Sequence, residues 1–111
     1  MKDPREKQII AQLLAHAEQL REVYGPAAVT GLSIYETDAD LRGLRPEDGP
    51  DATAEQQQRM TYAAADALRS AGHRVKLVPL RVAGYIAWLD ATGKANTPAH
   101  RAQWASTQLQ A

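Results

Sequence analysis

The strongest constraint in this chain is the spacing of its two β-prone stretches, Ala28 to Tyr35 and His73 to Leu80, which are held apart by a long helical run. Strands joined through a helix cannot form a hairpin; they pair in parallel, by a crossover expected to be right-handed. The first stretch carries Val29, Thr30, Ile34 and Tyr35, and Gly31 in its middle either permits a bulge or a close backbone approach or only weakens the strand. The second carries Val75, Leu77 and Val78, and Pro79 limits how far it can pair. The intervening helix starts near Thr53, where Thr53, Ala54, Glu55 and Gln56 form a capping-box pattern, and runs to Ala71 with Gly72 as its stop. Met60, Ala64, Ala67, Leu68 and Ala71 make its apolar line.

Helical patterns flank this unit on both sides. From Pro4 to Tyr24 the apolar residues Ile9, Ile10, Leu13, Leu14, Ala17, Leu20 and Val23 recur at three and four, and Gly25–Pro26 ends the run. Lys7, Gln8, Gln12, Glu18, Gln19 and Glu22 take the solvated side of that helix, and His16 is placed with them. Val82, Tyr85, Ile86 and Leu89 define another helix, stopped by Gly93. Thr97 and Pro98 then start a last one, with Ala102, Ala105 and Leu109 facing inward and Trp88 and Trp104 clamping the final pair onto the rest. The expected fold is α/β (or α+β): a small two-to-three-stranded sheet covered by four helices in the order α-β-α-β-α-α. Residues 1–111 form a single domain, with an acidic surface loop at 36–52 containing Gly43, Pro46, Gly49 and Pro50.

A pair of strands with open edges is marginal in water, so something must cover or extend it. Leu41 and Leu44 in the acidic loop offer a third strand, and a second copy of the chain offers another route. The uncharged Val29–Ile34 stretch is the edge that invites pairing, which favours a homodimer.

Composition removes several classes of function. The chain has no cysteine, which excludes disulfides, thiolate metal sites, iron–sulfur clusters and a thiol nucleophile. No His-Glu-x-x-His spacing, phosphate-binding glycine loop or dinucleotide fingerprint is present, and Ser33 lacks the second glycine of a nucleophile elbow. No stretch is apolar enough for a membrane span, and the first residues are charged where a signal peptide needs an apolar run; a cytoplasmic protein is expected, without a cofactor.

Charge is distributed unevenly although it cancels overall. Residues 1–55 hold 6 basic and 11 acidic side chains, and residues 56–111 hold 7 basic and 2 acidic. Two candidate contact surfaces follow: Glu36, Asp38, Asp40, Glu47 and Asp48 on the acidic loop, and Arg74, Lys76 and Arg81 on the basic half. Glu36, Asp38 and Asp40 alternate, and Glu47 stands at calcium-loop distance, but Leu41 occupies the position of the required glycine.

The function expected is non-catalytic: a protein-interaction protein, an accessory or regulatory factor that binds another macromolecule. One alternative is a DNA-binding regulator with a helix-turn-helix at 81–109, in which Lys94, His100, Arg101 and Gln103 meet DNA. The other is a small enzyme whose pocket gathers His73, Tyr35 and a carboxylate from scattered positions.

Overall fold

The computed structural model describes residues 4–44 and 53–110. Its elements, in chain order, are α1 (Pro4–Tyr24), β1 (Val29–Ile34), α2 (Asp38–Leu44), α3 (Ala54–Ser70), β2 (Arg74–Pro79), α4 (Val82–Thr92) and α5 (Pro98–Gln110). The mixed α/β class and the order of the expected elements hold. The correction is α2: a fifth helix stands where a loop is expected. Thr37 Oγ1 accepts from the Asp40 N–H at its start, and Leu41 is buried beneath it. A seven-residue helix with one buried leucine has too little apolar periodicity to register in sequence. A third strand at 36–51 is absent from its described part, 36–44; the remainder lies outside the described residues.

β1 and β2 pair in parallel, from Val29 opposite Arg74 to Ile34 opposite Pro79. The connecting helix α3 begins at the expected capping box: Gln56 N–H donates to Thr53 Oγ1 and Thr53 N–H donates to Gln56 Oε1. Gly72 follows with φ +90°, a left-handed turn open to glycine at little cost.

Two apolar clusters hold the elements together. Leu32 of β1 packs with Ile9, Leu13 and Ala17 of α1, with Ala64, Ala65 and Leu68 of α3 and with Ala102 of α5. Tyr35, Leu41, Ala54, Leu80, Tyr85, Trp104 and Ala105 form the second cluster at the carboxyl end of the sheet. Tyr85 is its centre, stacked on Trp88 at 6.0 Å and tilted against Trp104 at 5.6 Å. Ile86, part of the α4 spacing, is 39% exposed.

Gly31 sets how closely α5 approaches. A Cβ built there would stand 2.6 Å from the Ala105 carbonyl carbon and 2.7 Å from the Ser106 nitrogen, so the helix backbone rests directly on the strand. The close approach open to a strand glycine is the alternative realised here.

Candidate functional site

The two strands have unequal surroundings. β1 is covered on one face by α1 and α3 and on the other by α5, with Thr30, Gly31, Leu32 and Ser33 all buried. Its outer edge is closed as well: Gly31 N–H donates to Ser106 Oγ at 2.9 Å, and Ser106 Oγ in turn lies 3.1 Å from His16 Nε2. His16 is therefore not on the solvated side where the helical pattern puts it; it reaches across to α5 and is half-buried. Burial pushes its imidazole pKa below the usual 6.5, partly opposed by a backbone hydrogen bond at Ala102. The Val29–Ile34 edge, expected to invite a second copy, is thus covered by the chain itself.

β2 is the contrasting strand. Arg74, Lys76 and Pro79 are exposed, and Val75, Leu77 and Val78 are half-buried. Leu80 N–H donates to Ile34 O at 3.0 Å, while both backbone groups of Gly31 turn away toward Ser106. Peptide groups alternate sides along a strand, so Arg74, Lys76 and Val78 direct their backbone groups at β1, whereas Val75, Leu77 and Pro79 direct theirs outward. Arg69 of α3 donates to the outward Val75 carbonyl at 3.3 Å. Pro79 has no N–H to offer. The open edge thus centres on the N–H groups of Val75 and Leu77 and the carbonyl of Leu77.

Side chains on this strand divide between two faces. Val75 and Leu77 pack on the Leu32 cluster. Arg74 and Lys76 stand on the face that β1 gives to α5, since Lys76 is opposite Gly31. Neither makes an ion pair with any described residue. Lys76 also borders an open groove of about 440 Å³ with Tyr24, Ala27, Ala28, Val29 and Leu109. Arg81 is exposed at the start of α4, where its side chain makes no capping hydrogen bond. Sequence reasoning names Arg74, Lys76 and Arg81 but misses Arg69 and Leu77, whose roles depend on which way the β2 peptide groups turn.

The acidic set is dispersed. Asp38 Oδ1 accepts from the Ala54 N–H at 2.7 Å, anchoring the start of α3, and Glu36 is exposed just before α2. Winding of the chain from Asp38 onward removes the extended alternation that would put Glu36, Asp38 and Asp40 on one side. Glu47 and Asp48 lie outside the described residues. Among the described residues no three His, Asp or Glu side chains converge as a metal site.

The DNA-reading set is largely committed to internal contacts. Arg101 is 6% exposed; it donates to Asn96 Oδ1 at 3.0 Å and lies over the Tyr35 ring at 5.5 Å, so it is not presented to a base edge. Lys94 donates to Gln103 Oε1 at 2.8 Å and sits over Trp88, and His100 Nδ1 is 2.8 Å from the Ala95 carbonyl. Asn96 organises this buried region: its Oδ1 accepts from Tyr85 and Arg101, and its Nδ2 donates to Tyr35 Oη and the Leu44 carbonyl. All its hydrogen-bonding capacity is used.

Residues of the enzyme alternative stay apart. His73 precedes β2 and Tyr35 follows β1, at opposite ends of six-residue parallel strands that span about 20 Å. His73 instead ties α1 to the start of β2. Arg21 donates to its Nδ1 and to the Gly72 carbonyl, each at 3.0 Å, and Glu18 Oε1 stands 3.0 Å from Nε2 but off its N–H direction. A cavity of about 30 Å³ bordered by Leu32, Ser33, Gln57, Thr61 and Arg101 has room for a water or two and no more.

No protein-family model matches this chain, and no curated protein is significantly similar to it. No helix among the described residues is long and apolar enough to cross a membrane.

Proposed function

We propose that this chain is a non-catalytic protein-interaction factor of the cytoplasm that engages a partner protein by accepting an extended segment of it as a third strand beside β2. The observation that carries this is the contrast between the strands. β1 is enclosed on both faces and at its outer edge, whereas among the described residues nothing covers the outward N–H groups of Val75 and Leu77, the Leu77 carbonyl or the exposed Arg74 and Lys76. An uncovered strand edge is a template for pairing, and strand addition is a recurrent way of recognising peptides.

A second copy is the partner expected from sequence. Pairing β2 with itself sets the cations of one copy beside those of the other, which argues for a partner of different composition. The DNA reading has no comparable support, because Arg101 is buried in the Asn96 network.

Selection from a displayed library of random peptides, with counter-selection on the Leu77→Pro variant, tests the proposal. Proline at that position removes an outward N–H that takes no part in the β1 ladder and keeps an apolar ring on the packed face. Expected are peptides that bind the wild-type chain and not the variant. Binders indifferent to Leu77→Pro, or an absence of enrichment, would refute it.

A further inference from the structure

We infer that the segment accepted by β2 alternates acidic and apolar residues; this rests on the strand-addition reading and names its ligand. Arg74 and Lys76 are two residues apart on one strand, so they project on the same face, roughly 7 Å from each other. They are exposed and make no ion pair with the described residues. An incoming strand whose carboxylates recur at every second residue meets both, and cross-strand pairs of opposite charge stabilise a ladder.

The other face dictates the intervening residues. Val75 and Leu77 lie there, half-buried against the α1 and α3 cluster, and the side chains of a third strand on that face extend the same apolar surface. A carboxylate beside Leu77 loses water, whereas an aliphatic side chain there gains burial.

Arg69 fits the same ligand. Its guanidinium now donates to the outward Val75 carbonyl, an acceptor that the incoming backbone needs. When the segment pairs, the guanidinium is displaced into reach of a carboxylate. The displaced hydrogen bond is replaced by a backbone one, and the cation remains at the edge.

The test is fluorescence anisotropy with two labelled strand-length peptides, one alternating glutamate with valine and the other lysine with valine. The wild-type chain is expected to bind the glutamate peptide and not the lysine peptide. Lys76→Glu is expected to weaken that binding about tenfold, since a like-charge pair replaces an opposite one. The double variant Arg74→Glu with Lys76→Glu is expected to prefer the lysine peptide. Both positions are solvent-exposed, so these variants test charge without disturbing the core. Circular dichroism of Leu77→Pro, expected to match the wild-type spectrum, is recorded before its loss of binding is scored.

If both peptides bind equally and Leu77→Pro abolishes both, the acidic preference is overturned while strand addition stands. If neither peptide binds, or if binding ignores Leu77→Pro, both ideas fall. Random duplex DNA binding through Lys76, with no binding of the glutamate peptide, would overturn the partner class.

Discussion

Replacing Gly31 by alanine separates the contact made by β1 from ordinary strand propensity. The added Cβ would stand 2.6 Å from the Ala105 carbonyl carbon and 2.7 Å from its oxygen and from the Ser106 nitrogen. These are backbone atoms of a helix, so no flexible side chain can swing aside. Restoring ordinary contact requires α5 to withdraw by about 1 Å, and overpacking of this kind costs about 1–3 kcal/mol. Withdrawal also stretches the hydrogen bond from Gly31 N–H to Ser106 Oγ, now 2.9 Å, a loss of about 1 kcal/mol. The combined destabilisation is about 3 kcal/mol, a large part of what a domain of this size has, and lowers Tm by roughly 15 °C. Gly84→Ala is the matched control. Nothing lies within 4 Å of a Cβ at that helical position, so alanine there stabilises by up to about 1 kcal/mol. Urea and thermal unfolding followed by circular dichroism measure both. A Gly31→Ala protein within about 0.5 kcal/mol of wild type would refute the direct seating of α5 on β1.

Three further outcomes follow from named contacts. His16 has a folded-state pKa below its unfolded value, so the unfolded chain takes up the proton first; the stability its neutral form contributes is complete above pH 6.5 and is lost as pH falls through the folded-state value. Urea midpoints measured from about pH 8 to pH 5 should therefore decline less steeply in His16→Gln than in wild type. Asn96→Ala removes a buried side chain that satisfies four polar groups, and an unfolding titration should show a loss of about 2–3 kcal/mol. Thr53→Ala breaks the capping box of α3 and should cost about 1 kcal/mol in the same titration, with no effect on peptide binding at β2.

Much of the framework is legible because its signals are local. The Thr53–Gln56 box, the stops at Gly25, Gly72 and Gly93, and the helix between two strands depend on neighbours in sequence, and each is where the pattern puts it. His16 shows the limit. Its place in the three-and-four spacing assigns it to solvent, but Ser106, 90 residues away, supplies its contact and no periodicity reports that pairing. Arg101 fails for the same reason: a cation on a late helix resembles a DNA contact until Asn96 and Tyr35 are found around it. Arg74 and Lys76 are recoverable as candidates because the uneven charge of the two halves points to the basic residues of the second. Their availability, however, depends on there being, among the described residues, no helix over the Arg74 and Lys76 face of β2, which is a tertiary fact.

The enclosure of β1 explains how so small a sheet can afford an open edge at all. A two-stranded ribbon in water is marginal because both strands lose conformational freedom while half of their backbone groups compete with solvent. Here the cost is met almost entirely on one strand: Leu32 joins a core drawn from α1, α3 and α5, and Ser106 satisfies the outward groups of Gly31. β2 needs only its ladder to β1 and the apolar undersides of Val75 and Leu77 to remain in place. Its outer edge is therefore not required for folding. Variants confined to that edge, such as Lys76→Glu, should change partner binding with little change in stability, whereas changes at Gly31 or Ser106 should act through stability. An edge variant that unfolds the chain as severely as Gly31→Ala would show that β2 is structural and remove the basis for assigning it to recognition.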